Sequence, residues 1–190
     1  PIAGGRFVLG FRGEIGLLEP YGDTKVAPFF EHYYSGGISS VRGFKQNTLG
    51  PRAIPSLYYL DNEGNPIIGP DGNPVMNPYN SYRDDRSIGG AYLVEGGFDF
   101  IFKLPFIEDQ RSMRSSFFLD IGNVFSKDCG SDFTNANCSE LDFGELRYSF
   151  GVGVTWITQL GPMSLAIAAP SNEGPFDETE NFQFEIGTQF

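Results

Sequence analysis

Few residues of this 190-residue chain stand in a pattern typical of a catalytic or metal-binding site, and those few are scattered along the sequence. His32 is the only histidine, and no serine and acid accompany it in a recognisable catalytic pattern, so a hydrolase is not predicted. The acidic stretch 61–65 breaks the spacing of a calcium-binding EF-hand loop. We therefore expect no enzymatic activity, no bound metal and no cofactor.

The two cysteines, Cys129 and Cys138, lie close together in a polar, asparagine-rich stretch. No second cysteine pair and no histidine cluster accompanies them, which argues against a zinc site. Free thiols and a local disulfide both fit this spacing. We predict a Cys129–Cys138 disulfide, formed in an oxidising compartment.

Arg42 is the most informative polar residue, because Gly43 follows it in the segment Val41-Arg42-Gly43-Phe44. Arginine carries a fixed charge and a planar fork of donors, and glycine permits a sharp bend. Burying such a cation is unfavourable unless carboxylates receive it. We expect Asp99, Asp120 or both to do so. In the alternative, Arg42 is exposed on a turn and the two acids merely line a pore.

The elements that must position these residues are β-strands. In the segment 147–156 every even position is large and apolar, and every odd position is small or polar. This alternation predicts a strand with one apolar face and one polar face. The same pattern predicts six strands, at 5–18, 88–104, 114–126, 146–158, 162–170 and 181–190.

The connections between these strands favour an outer-membrane barrel, in which short turns alternate with long loops. The turn at 159–162 is short, whereas the connections 19–87 and 127–145 are long. A soluble β-sandwich also alternates, but its interior would then be lined by charges. The inward-facing set includes Arg12, Glu14, Asp99, Asp120 and Arg147. We therefore predict an all-β, antiparallel transmembrane β-barrel, with residues 1–190 forming the C-terminal part of one barrel domain.

The net charge and the number of strands further limit the classes of function and of barrel that fit this chain. The net charge of −11 would repel nucleic acid, and no run approaches the roughly 20 apolar residues of a membrane helix. Single-chain membrane barrels begin at about eight strands, and open sheet edges are not tolerated in lipid. The six strands are therefore expected to belong to a larger barrel or to pair with a second copy.

Three motifs, in order along the chain, resemble the BamA-type assembly factors of the bacterial surface antigen superfamily. The first is Val41-Arg42-Gly43-Phe44, which matches the VRGF/Y signature of that family. The second, at 118–125, resembles its F-x-D-x-G-x-x-F strand through Phe118, Asp120 and Gly122. The third is the terminal segment 182–190, which resembles the signal by which outer-membrane proteins are recognised for insertion.

The resemblance implies that the chain is the last six or so strands of a sixteen-stranded barrel in the outer membrane of a Gram-negative bacterium. The long loop 19–87, carrying the VRGF motif, would fold back into the barrel. The POTRA domains and the ten preceding strands of the family are absent from this chain. The implied contact of Arg42 is with acids at the positions of Asp99 and Asp120.

The implied function is to fold and insert outer-membrane proteins through a lateral seam, with these client proteins, the membrane and the lipoproteins of the BAM complex as partners. The seam would involve the terminal strand, through Phe182, Phe184, Ile186, Gly187 and Phe190. Gly187 inside that strand would weaken its packing, although small residues also line crowded barrel interiors. The alternatives are a TamA-like or two-partner secretion transporter, and a passive pore or structural barrel.

Overall fold

The computed structural model describes residues 7–22, 27–53, 58–59, 61, 63, 65–77, 86–104, 112–127, 135–136, 139–159, 161–174 and 176–187. Within these ranges no helix is long and apolar enough to cross a membrane. The predicted disulfide cysteines, Cys129 and Cys138, and the terminal Phe190 lie outside the described residues.

The described residues form nine β-strands. In chain order these are β1 (Phe7–Leu17), β2 (Arg52–Ala53), β3 (Arg86–Ser87), β4 (Tyr92–Phe102), β5 (Met113–Phe125), β6 (Asn135–Ala136), β7 (Arg147–Thr158), β8 (Gly161–Ser171) and β9 (Phe182–Ile186). Single turns of 3-10 helix occur at Phe29–Glu31 and Phe143–Glu145. The all-β prediction is confirmed.

Six long strands form one antiparallel sheet in the order β1-β4-β5-β7-β8-β9, so strands adjacent along the chain are also adjacent in the sheet once the short ones are set aside. Each of the six overlaps one of the predicted strands. The short strands β2, β3 and β6 form a separate three-stranded sheet in the order β3-β2-β6. Sequence periodicity missed these three, because two residues are too few to show a period.

The outer face of the six-stranded sheet is apolar and uncovered. One register row crosses all six strands through Leu9, Phe100, Phe117, Val152, Ile167 and Phe182. The rings of Phe102 and Phe117 stack across two strands with their centroids 5.0 Å apart. Phe11 and Ile15 are each 77% exposed. A large uncovered apolar surface of this kind suits lipid and would be unfavourable in water.

The inner face is covered by part of the long connection between β1 and β4. Its residues Val41, Phe44 and Leu49 are fully buried and form a small hydrophobic cluster. On the sheet, the side chain of Asp120 is also fully buried. The sheet therefore has an apolar outside and a polar inside, as the alternation predicts, and the loop lies against the polar side.

The end of the last strand differs from the prediction. Gly187 was expected inside a strand reaching 190, but β9 ends at Ile186 and Gly187 has φ 97°. This left-handed backbone interrupts an extended strand, and glycine adopts it without steric cost. The amide of Gly187 donates to the carbonyl of Pro162, near the start of β8, at 2.8 Å.

Candidate functional site

The loop carrying Arg42 is shaped by a compact turn. The amide of Gly37 donates to the carbonyl of Phe44 at 3.0 Å, which closes the segment 37–44 at its base. Within it, the Ser40 hydroxyl accepts from the amide of Gly36 at 3.0 Å and also hydrogen-bonds the carboxylate of Glu95 on β4. The tip is thus fixed internally and tied to the wall by the same serine.

Arg42 projects from this turn onto two acids of the inner wall. Its Nε and NH2 atoms donate to the two carboxylate oxygens of Asp120, at 2.6 and 2.8 Å. Its NH1 atom donates to Oδ1 of Asp99 at 3.1 Å. The two-point contact with Asp120 is the strongest form of arginine–carboxylate recognition. The structure therefore joins Arg42 to both of the acids singled out from the sequence.

The backbone and an aromatic ring add to this site. The amide of Arg42 also donates to Oδ2 of Asp120, at 3.2 Å. The guanidinium carbon lies 3.7 Å from the centroid of the Phe118 ring, a cation–π contact with the first residue of the strand motif. Asp120 and Phe118 therefore both contact the same cation, which explains why the loop motif and the strand motif meet in space.

Arg12 on β1 is the fourth charged residue of the site, after Arg42, Asp99 and Asp120; the sequence placed it on the inner face without identifying a partner for it. Its NH2 atom lies 2.8 Å from Oδ1 of Asp120, and its NH1 atom donates to the carbonyl of Ser39 at 2.6 Å. A further hydrogen bond joins it to the carbonyl of Ser40. Two cations and two anions therefore share one enclosed site, with Asp120 at its centre.

Arg42 remains protonated in its buried site. Burial by itself would lower the pKa of Arg42, but the hydrogen bond with Asp120 and the charges of Asp120 and Asp99 outweigh it, and the pKa is raised. The guanidinium is therefore a permanent cation at any physiological pH. The contact therefore joins the loop to the wall through charged groups.

Three inner-wall glycines make the space that the loop and its partners fill; we call Gly97, Gly122 and Gly151 the glycine recess. A Cβ atom on Gly122 would lie 2.9 Å from Cγ2 of Val41, and one on Gly97 would lie 2.9 Å from Oδ1 of Asp120. A Cβ atom on Gly151 would lie 2.6 Å from the Phe118 ring. These are closer than carbon–carbon or carbon–oxygen contacts allow.

On its other side, the loop tip contacts the end of the sheet. Gly43 has φ 91°, and a Cβ atom there would lie 2.9 Å from Cβ of Ala168 on β8. Its amide donates to Oε1 of Gln183 on β9 at 3.1 Å. The Gln183 amide group in turn donates to the carbonyl of Phe44 at 2.7 Å. Gln183 was missed by the sequence argument.

Beyond the tip, Glu178 gathers two loop cations. Nζ of Lys45 and NH2 of Arg52 each lie 2.8 Å from one of its carboxylate oxygens. Arg52 is only 1% exposed, so this carboxylate supplies the charge that its burial requires. The hydrogen bonds from Lys45 and Arg52 lower the pKa of Glu178.

A second arginine site lies at the start of β7. The side chains of Arg147 and Asp177 are both buried and form an ion pair. The NH1 atom of Arg147 also donates to the carbonyl of Glu145 at 2.9 Å, and Asp177 accepts from the amide of Gly174 at 2.7 Å. The sequence had placed Arg147 inside the barrel without identifying its partner.

The remaining predicted site residues are on the last strand. Phe182, Phe184 and Ile186 are exposed on the apolar outer face, whereas Gln183 points to the inner face. Gly187 follows the strand rather than lying within it. Over the described ranges of the chain, no group of three or more histidine, cysteine or acidic side chains is placed to hold a metal ion.

Comparison with known proteins agrees with this architecture. Residues 2–190 match the Omp85 superfamily domain. The chain is 33% identical over 198 aligned residues to the outer membrane protein assembly factor BamA of Neisseria meningitidis serogroup B, strain ATCC BAA-335 / MC58. The alignment covers 97% of this chain but 22% of that protein, so the chain spans less than a quarter of the relative's length.

A solved structure gives the same result. The fold matches the crystal structure of BamA from Haemophilus ducreyi lacking POTRA domains 1–3, with a TM-score of 0.68 and 29% identity. The match covers 94% of this chain and 31% of that one, as expected of a sheet that is part of a larger barrel. The chain therefore belongs to the Omp85 superfamily and forms part of an outer-membrane β-barrel of a Gram-negative bacterium.

Proposed function

We propose that this chain is the C-terminal part of an assembly factor that folds other β-barrel proteins and inserts them into the outer membrane. The observation that carries the proposal is the docked loop, in which Arg42 binds Asp120 through two nitrogens and reaches Asp99 with a third. The two relatives compared above are both named BamA, and one is described as an outer membrane protein assembly factor.

The docked loop would set the shape of the lumen in which assembly takes place. Its cation is neutralised by two acids, and Val41 and Phe44 are fully buried against the inner wall. Charge and packing together hold the loop in its docked position. In this proposal the loop is a structural brace, and no bond is made or broken by the protein.

The last strand supplies the second part of the proposal. In the described part of the chain, β9 pairs with β8 alone, through five register pairs. Its outward side chains Phe182, Phe184 and Ile186 are apolar and exposed. A short strand with an unpaired edge can accept a client strand by β-augmentation. This supports β9 as one side of a lateral seam.

The driving force would come from the client. A strand that enters the membrane lowers its free energy when its apolar side chains meet lipid and its backbone hydrogen bonds close. Neither a nucleotide nor a cofactor is needed, and we propose no catalytic residue. In the whole protein, the POTRA domains and the lipoproteins of a BAM complex would deliver clients to the barrel.

Complementation tests this proposal. The full-length protein containing this chain would be expressed in a bacterium depleted of its own BamA. Arg42→Asp and Asp120→Arg should each abolish or strongly reduce the folded outer-membrane proteins in the membrane. Glu14→Arg is the matched control, since Glu14 is an inward acid of β1 but is exposed. Wild-type assembly by both site variants would refute the proposed role of the loop.

The charge-swapped double variant is informative because of Arg12. Exchanging the charges of Arg42 and Asp120 restores a pair of opposite charges. Arg12, whose NH2 atom lies 2.8 Å from Oδ1 of Asp120, would then face an arginine at position 120. We therefore expect partial recovery only.

Conductance in planar bilayers separates the rival functions: a passive pore would change conductance in these variants while assembly in cells stayed normal.

A further inference from the structure

The last strand is held by more than its neighbour in the sheet. On its inner side, Gln183 is 4% exposed and both ends of its amide group are used. Oε1 accepts from the amide of Gly43, and Nε2 donates to the carbonyl of Phe44. A glutamine amide offers an acceptor and a donor on separate atoms, so this one side chain matches both the N–H of Gly43 and the carbonyl of Phe44.

The segment leading into β9 extends the same contact. The amide of Glu180 donates to the carbonyl of Gly43 at 2.8 Å, and the amide of Lys45 donates to the carbonyl of Glu178 at 2.8 Å. Phe44 and Thr179 form an antiparallel β-bridge. Residues 43–45 of the loop are therefore added, as a minimal strand, to the chain that enters β9.

The two halves of the loop's attachment are adjacent in sequence. Arg42 binds the acids of β4 and β5, and the very next residue, Gly43, binds Gln183. Because Arg42 and Gly43 are joined by one peptide bond, no flexible segment of backbone lies between the two contacts. If the backbone of the loop tip moves away from Asp120, the amide of Gly43 and the carbonyl of Phe44 move with it, and their hydrogen bonds to Gln183 are weakened.

We propose that Gln183 is a positioning residue that couples the docked state of the Arg42 loop to the hold on β9. With the loop docked, β9 is fixed by β8 and by Gln183; with the loop released, β9 loses the two hydrogen bonds of Gln183 and, among the described residues, keeps its five register pairs with β8. This inference rests on the proposed function and specifies how the loop would control the seam.

Hydrogen–deuterium exchange of the full-length protein in lipid nanodiscs tests the coupling. The variants are Asp120→Asn, Gln183→Met and the two combined, each first confirmed as folded by its heat-modifiable mobility on a gel. Each single variant should raise exchange in peptides covering 182–187 roughly tenfold, and the double variant by no more than about twofold beyond that. Both substitutions break one link, so their effects should not multiply.

The matched control is Glu185→Met, which makes the same replacement two residues further along the same strand and lines the same inner cavity as Gln183. It should leave exchange at 182–187 within about twofold of the wild type. An equal rise in Glu185→Met, multiplied effects in the double variant, or no rise at β9 in Asp120→Asn would overturn the coupling.

Should Gln183→Met not fold, Gln183→Glu replaces it. Its carboxylate keeps the acceptor for Gly43 but loses the donor to Phe44, so exchange should rise at neutral pH and recover once the carboxyl is protonated. Rates that stay the same at both pH values, after correction for intrinsic exchange, would contradict the proposal. Assembly in cells is read separately: normal assembly in Asp120→Asn refutes the proposed function, whereas lost assembly with unchanged exchange at β9 refutes only the coupling.

Discussion

Two buried arginines of this chain are neutralised in different ways. Arg42 comes from the long loop, and its acids lie 57 and 78 residues further along the chain, on β4 and β5. Arg147 belongs to a strand, and its acidic partners lie 2 and 30 residues away. The first site holds a distant segment against the middle of the wall, whereas the second joins neighbouring segments at one end of the sheet.

The comparison teaches that a buried ion pair says little by itself about function. Both arginines satisfy the rule that a buried cation needs a carboxylate and further hydrogen bonds. At the Arg42 site a second arginine shares the same carboxylate, an aromatic ring packs against the cation, and glycines of the wall make room for the loop. We therefore expect the two sites to respond differently when each loses its acid.

The largest effect is expected for Asp120→Asn. It removes the charge that two arginines share, at a side chain with no exposure, and breaking a buried pair in this way costs about 3–5 kcal/mol. The loop should become accessible to a cysteine reagent directed at Val41→Cys, because Val41 is fully buried while the loop is docked. Glu14→Gln serves as control. Equal protection of the loop in Asp120→Asn and the wild type would show that packing alone holds it.

A smaller effect is expected for Asp177→Asn. Arg147 keeps its two contacts with Glu145 and loses its charged hydrogen bond to Asp177, which is worth roughly 2 kcal/mol. Hydrogen exchange should rise at 172–177, while reagent access at the Arg42 loop changes far less than in Asp120→Asn. If the loop were released equally in both variants, the distinction drawn between the two sites would fail.

Arg12→Met should be milder still. Asp120 retains both contacts with Arg42, and the Arg12 side chain is 37% exposed, so the loss is about 1 kcal/mol. Thermal unfolding should shift slightly, and the loop should stay protected. An effect as large as that of Asp120→Asn would mean that Arg12, rather than Arg42, is the main partner of this carboxylate.

The smallest expected effect is a pH dependence at Glu178. Its pKa lies below the usual value of 4.5, so its contribution is present above that value and is lost as the pH falls through the lowered pKa. Exchange at 43–46 should therefore rise in acid, and Lys45→Met should weaken this dependence. A pH dependence unchanged in Lys45→Met would assign the titration to another group.

Much of this architecture is predictable from the sequence because alternation is strong in long strands. Parity places Asp99 and Asp120 inside, and a family resemblance connects them to Arg42. The partnership of Arg12 with Asp120 is not predictable in the same way, because it depends on the register of two strand pairs at once. Arg12 lies opposite Gly97, and Gly97 opposite Asp120.

Gln183 and Gly187 are two residues whose roles the alternation of apolar and polar positions does not predict. Parity assigns Gln183 to the inside, but a neutral side chain with a donor and an acceptor gives no hint of which backbone it will meet. Gly187 occupies a position that alternation would continue through, yet its left-handed backbone ends the strand. Tertiary contacts decide both residues, and a period of two carries no information about them.

The glycine recess has a consequence for how the loop recognises its place. The recess formed by Gly97, Gly122 and Gly151 is filled by the Val41–Phe44 tip and its partners. Opposite charge would hold many loops in a watery lumen, but only a tip of this width can sit deeply enough to reach both acids. Departure of the loop would leave this recess open to water, and return of the loop would require that water to be displaced.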